Sequence, residues 1–172
     1  VIEKAFKKIQ ETQYEGILFI NLSPKSLIMG DFINKINGFV YKYGIQKDKI
    51  VFEITERETV KNFSLLEKFV YTLKLEGYKF AIDDFGSGFS SFHYIKKFPI
   101  DYVKIDGDFI VNINKDEKDR AFVNSIVTLA KELKIQTVAE FVENEEIVQV
   151  LNALEIDYYQ GFHIGKPAQK FI

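Results

Sequence analysis

Two adjacent carboxylates, Asp83 and Asp84, close the apolar run Phe80-Ala81-Ile82 and precede Phe85-Gly86-Ser87-Gly88. Neighbouring acids repel each other and need a counter-charge, most simply a metal ion or a lysine. If the apolar run is a buried strand of a parallel α/β protein, the pair lies at its C-terminal end, where such folds bind ligands. Other strands must then bring partners to the same level. Asn21, Glu53, Lys104, Glu140 and Gln160 each stand near the end of an apolar or alternating segment. Singly, any of them could cap the next helix or solvate a loop. With Asp83 they form a set of polar groups at corresponding positions. The residues two places earlier, Phe19, Val51, Ala81, Tyr102, Val138 and Tyr158, share their face by period-two alternation. In a closed barrel this is a polar rim above an apolar plug. One amide oxygen and several carboxylates are hard donors suited to Mg²⁺ or Mn²⁺.

The segments that must position these groups alternate in type. Helical spacing is expected over residues 1–12, 32–43 (closed by Gly44), 63–76 (stopped by Gly77), 90–97 (ended by Pro99), 116–133 and 144–154. Strands are expected over 17–23, 49–56, the stretch through Asp83, 102–106, 136–142 and 158–164. Such alternation implies parallel strands joined by right-handed crossovers, in one α/β domain spanning residues 1–172. Six strands suit either an open doubly wound sheet or most of a barrel. No spaced-glycine dinucleotide fingerprint is present.

Composition narrows the function classes. The chain has 172 residues, 47% of them hydrophobic, with 17 Phe and 9 Tyr, which is enough for one folded core. A net charge of −2 gives no general pull toward polymeric nucleic acid or an anionic membrane, so any phosphate affinity must be local. The absence of cysteine excludes disulfides, thiolate metal sites and cysteine nucleophiles. No apolar run approaches the roughly 20 residues of a membrane span, and no signal peptide is visible. The sequence begins at Val1, and a longer parent chain is expected. His93 and His163 lack ligand-spaced partners and are expected as surface or core residues. The Asp84-Phe85-Gly86 triplet lacks the glycine-rich and His-Arg-Asp loops of a protein kinase.

Six segments, taken in order, resemble the motifs of EAL domains, the cyclic di-GMP phosphodiesterases. They are Ile20-Asn21-Leu22-Ser23, Phe52-Glu53-Ile54-Thr55-Glu56, Ile82-Asp83-Asp84-Phe85-Gly86-Ser87-Gly88, Val103-Lys104-Ile105-Asp106, Val138-Ala139-Glu140-Phe141-Val142-Glu143 and Gln160-Gly161-Phe162. The resemblance implies a TIM-like (β/α)8 barrel whose first strand is antiparallel, with six strands here and the first two upstream. On that reading the chain is the C-terminal three-quarters of one barrel domain. The Glu-Ala-Leu triplet that names the family, whose glutamate is a metal ligand there, does not occur in this sequence. The chain alone is accordingly expected to be inactive, and its open sheet edges to favour self-association.

The resemblance also assigns roles. It implies that Asn21, Glu53 and Asp83 hold one of two Mg²⁺ or Mn²⁺ ions, that Asp83 bridges to the second, and that Asp84 holds the second. Glu140 and Gln160 would complete its surroundings. Lys104 would orient the attacking water or stabilise charge on the phosphate, and Glu140 is the candidate general base. The implied reaction hydrolyses cyclic di-GMP to linear pGpG; the alternative is an inactive cyclic di-GMP receptor or interaction scaffold. Phe85, Gly86, Ser87 and Gly88 resemble a flexible loop that couples metal binding to homodimerisation, steadied by Glu56, with Glu143 of similar standing. A plain strand-to-helix connection and solvated surface acids are the simpler readings of those residues. Phe141 stands where the family usually has glycine, and alternation would turn it toward the helices. Fused regulatory domains, a bacterial cytoplasmic location and a membrane anchor through other domains are further implications.

Overall fold

A computed structural model describes residues 1–23, 26, 31–61, 63–87 and 95–168, with the side chains of 59–61 outside that description. Apolar runs rich in Ile, Val and Phe form the strands, and left-handed residues follow the helices between them, glycine in two cases and Gln13, Lys134 and Glu155 in others. Gly44 (φ 64°) closes one helix and Gly77 (φ 92°) follows another; a side chain at either φ would be strained. In chain order the elements are α1 (Ile2–Thr12), β1 (Leu18–Asn21), α2 (Phe32–Tyr43), a 3-10 turn (Lys47–Lys49) and β2 (Ile50–Thr55). Then come α3 (Glu56–Lys61), α4 (Phe63–Leu75), β3 (Lys79–Phe85), β4 (Tyr102–Ile105) and α5 (Gly107–Ile110). The chain continues through α6 (Glu117–Glu132), β5 (Gln136–Ala139), α7 (Glu145–Ala153) and β6 (Tyr158–Tyr159).

The six strands form one sheet in the order β1-β2-β3-β4-β5-β6, every neighbour parallel. A doubly wound sheet reverses its strand order, whereas a (β/α) barrel adds each strand beside the last. The sequential order therefore selects the barrel alternative, as an arc of six strands. Register climbs stepwise along that arc: Asn21 faces Glu53, Glu53 faces Ala81, and Lys104 faces Val138. Such stagger is the shear that tilts barrel strands.

Two apolar layers flank the sheet. The larger packs strand residues Phe52, Ile54, Phe80, Ile82, Phe85 and Ile105 against the helices. The smaller, on the concave face, joins Val51, Ala81, Tyr102 and Val138, with Ile17 and Phe19 against it. This is the plug expected from alternation. Tyr158, at the edge of the arc, stays 38% exposed while its ring lies 6.0 Å from that of Tyr102.

Several expected bounds shift. β5 stops at Ala139, so Glu140 sits just beyond the strand, and β6 has two residues instead of a run to 164. Glu56 opens α3 rather than ending β2, and α4 ends at Leu75. The short α5 has no apolar period to announce it; Asp106 caps it by accepting the Asp108 N–H at 3.0 Å. Asp116 and Asn144 cap α6 and α7 in the same way. Of the helix expected over 90–97, residues 95–97 are helical, and 90–94 lie outside the described residues.

Candidate active site

Lys104 leaves the third position of β4 toward the concave face, two residues above Tyr102 of the plug. Its Nζ lies 2.7 Å from Asp83 Oδ1 on β3, 2.8 Å from Glu140 Oε1 beyond β5, and 3.2 Å from Glu53 Oε2 on β2. None of these four side chains is more than 12% exposed. One buried cation thus serves three buried carboxylates. A fourth is close, because oxygens of Asp83, Asp84 and Glu140 lie within 4.8 Å of one another.

Period-two alternation would turn Asp84 away from Asp83. The backbone prevents this: the β3–β4 register breaks between Ile82 and Phe85, and Asp84 takes a left-handed φ of 53°. A bulge of this kind re-aims one side chain without ending the strand. Asp tolerates that conformation better than bulkier residues do. Both acids consequently serve one site.

Electrostatics follow from this crowding. Burial, more than any neighbour, raises the Glu53 carboxyl above its usual range, with Asp83 and Asp84 adding to the effect against Lys104. Burial likewise pushes Glu140 to about 7, despite the attraction of Lys104. Asp84 is raised by burial and by the charges of Asp83 and Asp106. For Lys104 burial works against the charged form, but Glu53, Glu140 and Asp83 outweigh it and hold the ammonium above its ordinary range. Lysine is one of the two counter-charges the sequence required, and it is outnumbered.

A divalent cation suits what remains. Among the described residues Glu53 Oε2 is buried and accepts no hydrogen bond, its approach to Lys104 being poorly aligned for one. The donors are all carboxylate oxygens, and their net charge stays negative after Lys104 is counted. Asp83, Asp84, Glu140 and Glu53 fit a hard cation on both grounds.

The remaining expected residues divide. Asn21 ends β1 opposite Glu53 and is exposed at the rim. Gln160 is exposed; its main chain spans Ala139 and Val142, donating to Ala139 O at 2.8 Å and accepting from Val142 N–H at 3.0 Å. It thus borders Glu140 through its backbone. Gly161 lies so near Val142 that a methyl group there would be 2.7 Å from the Val142 carbonyl carbon. Glu56 is 1% exposed and its Oε2 accepts the Gly86 N–H at 3.1 Å, so the solvated-acid reading fails for it. Glu143 is exposed, as that reading has it. Phe85 is a correction: it ends β3 and is fully buried in the outer core, so it anchors a loop without belonging to one. Gly86, at φ 103°, begins the turn, and Phe122 and Phe109 would meet any side chain there at 2.9 and 3.0 Å. Ser87 is exposed, while Gly88 and His93 lie outside the described residues. His163 sits at the surface, 3.2 Å from Glu145.

Phe141 is a second correction. It follows the end of β5, so strand alternation does not govern it; its φ is 54° and it is 58% exposed, with its ring against Gly107. Asp106 was not singled out by the sequence, although its charge acts on Asp84. Its position two residues after Lys104, just past the end of β4, is the signal that could have found it.

Comparison with known proteins follows the same lines. The EAL domain family model matches residues 1–167. The chain is 42% identical over 170 residues to the cyclic di-GMP phosphodiesterase PdeA of Borreliella burgdorferi, covering 97% of this chain and 25% of that protein. Among solved structures, the EAL enzyme Bd1971 in its cAMP- and cyclic-di-GMP-bound form superposes with a TM-score of 0.91 at 30% identity, over 98% of this chain and 48% of that one. Klebsiella pneumoniae BlrP1, in a manganese and cyclic di-GMP complex, gives 0.89 at 31% identity over 94% of this chain and 42% of that one. The chain spans about a fifth to a quarter of the length of curated relatives such as PdeB of Shewanella oneidensis (20%) and PdeA of Borreliella burgdorferi (25%). With six parallel strands in barrel order and the match running almost end to end, the chain belongs to the EAL domain family.

Proposed function

We propose that this chain forms the greater part of the active site of a phosphodiesterase that hydrolyses cyclic di-GMP to linear pGpG. The observation that carries the reading is the buried cluster in which Lys104 meets Asp83, Glu53 and Glu140, with Asp84 beside it and negative charge in excess. Two Mg²⁺ or Mn²⁺ ions, held by Asn21, Glu53, Asp83, Asp84 and Glu140 with Gln160 alongside, would supply an acidified water and neutralise phosphoryl oxygens. The chain's own groups do the rest. Glu140, its carboxylate 2.8 Å from Lys104 Nζ, is the candidate to take a proton from water. Lys104 keeps its charge and offers N–H donors where negative charge grows on the phosphate. Water adds to one phosphorus and the ribose oxygen of that linkage leaves with a proton, giving pGpG. Glu56 tethers Gly86, and through it the turn after β3, which supports a role for that turn in coupling the site to a homodimer partner. Fused regulatory domains and a bacterial cytoplasmic setting accompany this reading. Among the described residues no helix is long and apolar enough to cross a membrane.

The test is pGpG release by the full-length protein with Mn²⁺ or Mg²⁺, followed by chromatography. Lys104→Ala should lower turnover by about 10²–10³-fold, the usual effect of removing one charge-stabilising donor. Unchanged turnover in that variant would overturn the assignment. Tight cyclic di-GMP binding without any pGpG from the parent protein would establish a receptor instead.

A further inference from the structure

Phe141 occupies a backbone conformation that suits glycine, yet its side chain is placed with some care. A bulky residue at φ 54° is an outlier and persists only where its surroundings hold it. The holding surface is Gly107. A methyl group on Gly107 would collide with Phe141 Cδ2 and lie 2.7 Å from Cγ and 3.0 Å from Cε2. The ring therefore rests on bare backbone at the start of α5, three residues after Lys104. On its own side, Phe141 directly follows Glu140, whose carboxylate meets Lys104 at 2.8 Å. The ring thus ties the end of β5 to the end of β4 across the same gap that the Glu140–Lys104 ion pair spans. Full burial does not explain the arrangement, since 58% of the residue stays exposed to solvent.

We infer that Phe141 is a positioning residue of the metal site, its ring seated on Gly107 fixing the backbone from which the Glu140 carboxylate is presented. The inference rests on the proposed metal-dependent site. It adds a pair, Phe141 and Gly107, that stands outside the carboxylates proposed to hold the metal. Groups that orient ligands in this way typically contribute about 10–100-fold in metal affinity.

The experiment uses the full-length protein, with Mn²⁺ affinity measured by electron paramagnetic resonance and stability by Tm. Phe141→Gly frees the left-handed backbone and removes the clamp, so Mn²⁺ affinity should fall about 10-fold or more while Tm holds or rises. A merely structural role would move both downward together. Phe141→Tyr keeps the ring and should retain parental affinity. Gly107→Ala should weaken Mn²⁺ in the parent background and do little once Phe141→Gly has removed the ring. Parental Mn²⁺ affinity in Phe141→Gly, or an equal effect of Gly107→Ala in both backgrounds, would overturn the inference. Mn²⁺ binding that responds as expected in a protein releasing no pGpG would leave this inference standing and sink the phosphodiesterase reading.

Discussion

At the N-terminal ends of the strands, Asp101 and Asp157 each find donors in matching number; at the C-terminal ends, Glu53, Asp83 and Glu140 share one lysine, with Asp84 beside them. Asp101 accepts from Lys74 Nζ at 2.6 and 2.7 Å and from the Phe80 N–H at 2.8 Å, joining α4, β3 and the start of β4. Asp157 accepts from the Thr137 N–H at 2.7 Å and its hydroxyl at 2.9 Å, joining β5 to β6. These acids staple the bottom of the arc, and their charge or lone pairs are satisfied locally. Glu53, Asp83 and Glu140 are more deeply buried than either, and the upper acids are worse matched. Burial alone does not separate a staple from a site. The separating quantity is the balance of charge, and the unbalanced cluster is the one that the proposed cation would complete.

The sharpest way to break this comparison is one amide substitution at each end. Asp83→Asn should abolish pGpG release while leaving Tm unchanged or raised, because it relieves repulsion in an over-acidic cluster. Asp101→Asn should leave turnover near parental and lower stability by about 1–3 kcal/mol, since Lys74 loses its partner. Turnover and thermal melts on both variants would check it. Reversed effects would mean that the two ends are not built differently.

Lys104 tests the balance from the cation side. Lys104→Met leaves buried carboxylates facing one another, and loss of one member of a buried ion pair costs about 3–5 kcal/mol. In metal-free protein the urea midpoint should fall accordingly. Added Mn²⁺ should recover more stability in the variant than in the parent, because it supplies the missing positive charge. A variant that Mn²⁺ does not stabilise would argue against cation binding by these acids.

pH should act on the upper end with a definite sign. The Glu140 pKa of about 7 in the folded chain stands above its ordinary 4.5, so folded protein holds that proton more tightly than unfolded protein does. Its contribution is complete below the unfolded value and is lost as pH rises through about 7. Glu53 and Asp84 are raised too and act in the same direction. Urea midpoints of metal-free protein should therefore fall between about pH 5 and pH 8, with a shallower slope in Glu140→Gln. Mn²⁺ affinity should rise over the same window as the competing proton leaves.

The rim was legible in the sequence because strand ends, apolar runs and glycine stops are local signals. Asn21, Glu53, Asp83 and Lys104 fall on the strand ends where alternation puts them, and Val51, Ala81, Tyr102 and Val138 form the plug beneath. What alternation by itself could not place lies where φ turns positive. Alternation assumes a continuous pleat, and Asp84 and Phe141 interrupt it with left-handed backbone. Asp84 is thereby turned into the site and Phe141 across to Gly107. Glu56, which the family resemblance set beside the loop after β3, is not legible from spacing alone: a buried acid opening a helix looks, in sequence, like the polar end of a strand. Its partner is a backbone N–H thirty residues away, which no local pattern reveals.

The lower end offers the smallest and cleanest contrast. Thr137 is 1% exposed, and its hydroxyl both donates to Asp157 and accepts the Asp157 N–H at 3.2 Å. Thr137→Val keeps shape and the Thr137 N–H bond but removes that hydroxyl, leaving a backbone donor unsatisfied beside a part-buried carboxylate. Stability should fall by about 1 kcal/mol, read as a lower urea midpoint. Turnover and Mn²⁺ affinity should not change, because β5 still delivers Glu140 from the same register with Val138 beside Lys104. Val138 and Glu140 share one face of that segment, so any slip of β5 would register first as weaker Mn²⁺ binding. A Thr137→Val protein that melts early yet binds Mn²⁺ normally would show that the staple holds the barrel and the charge cluster does the chemistry.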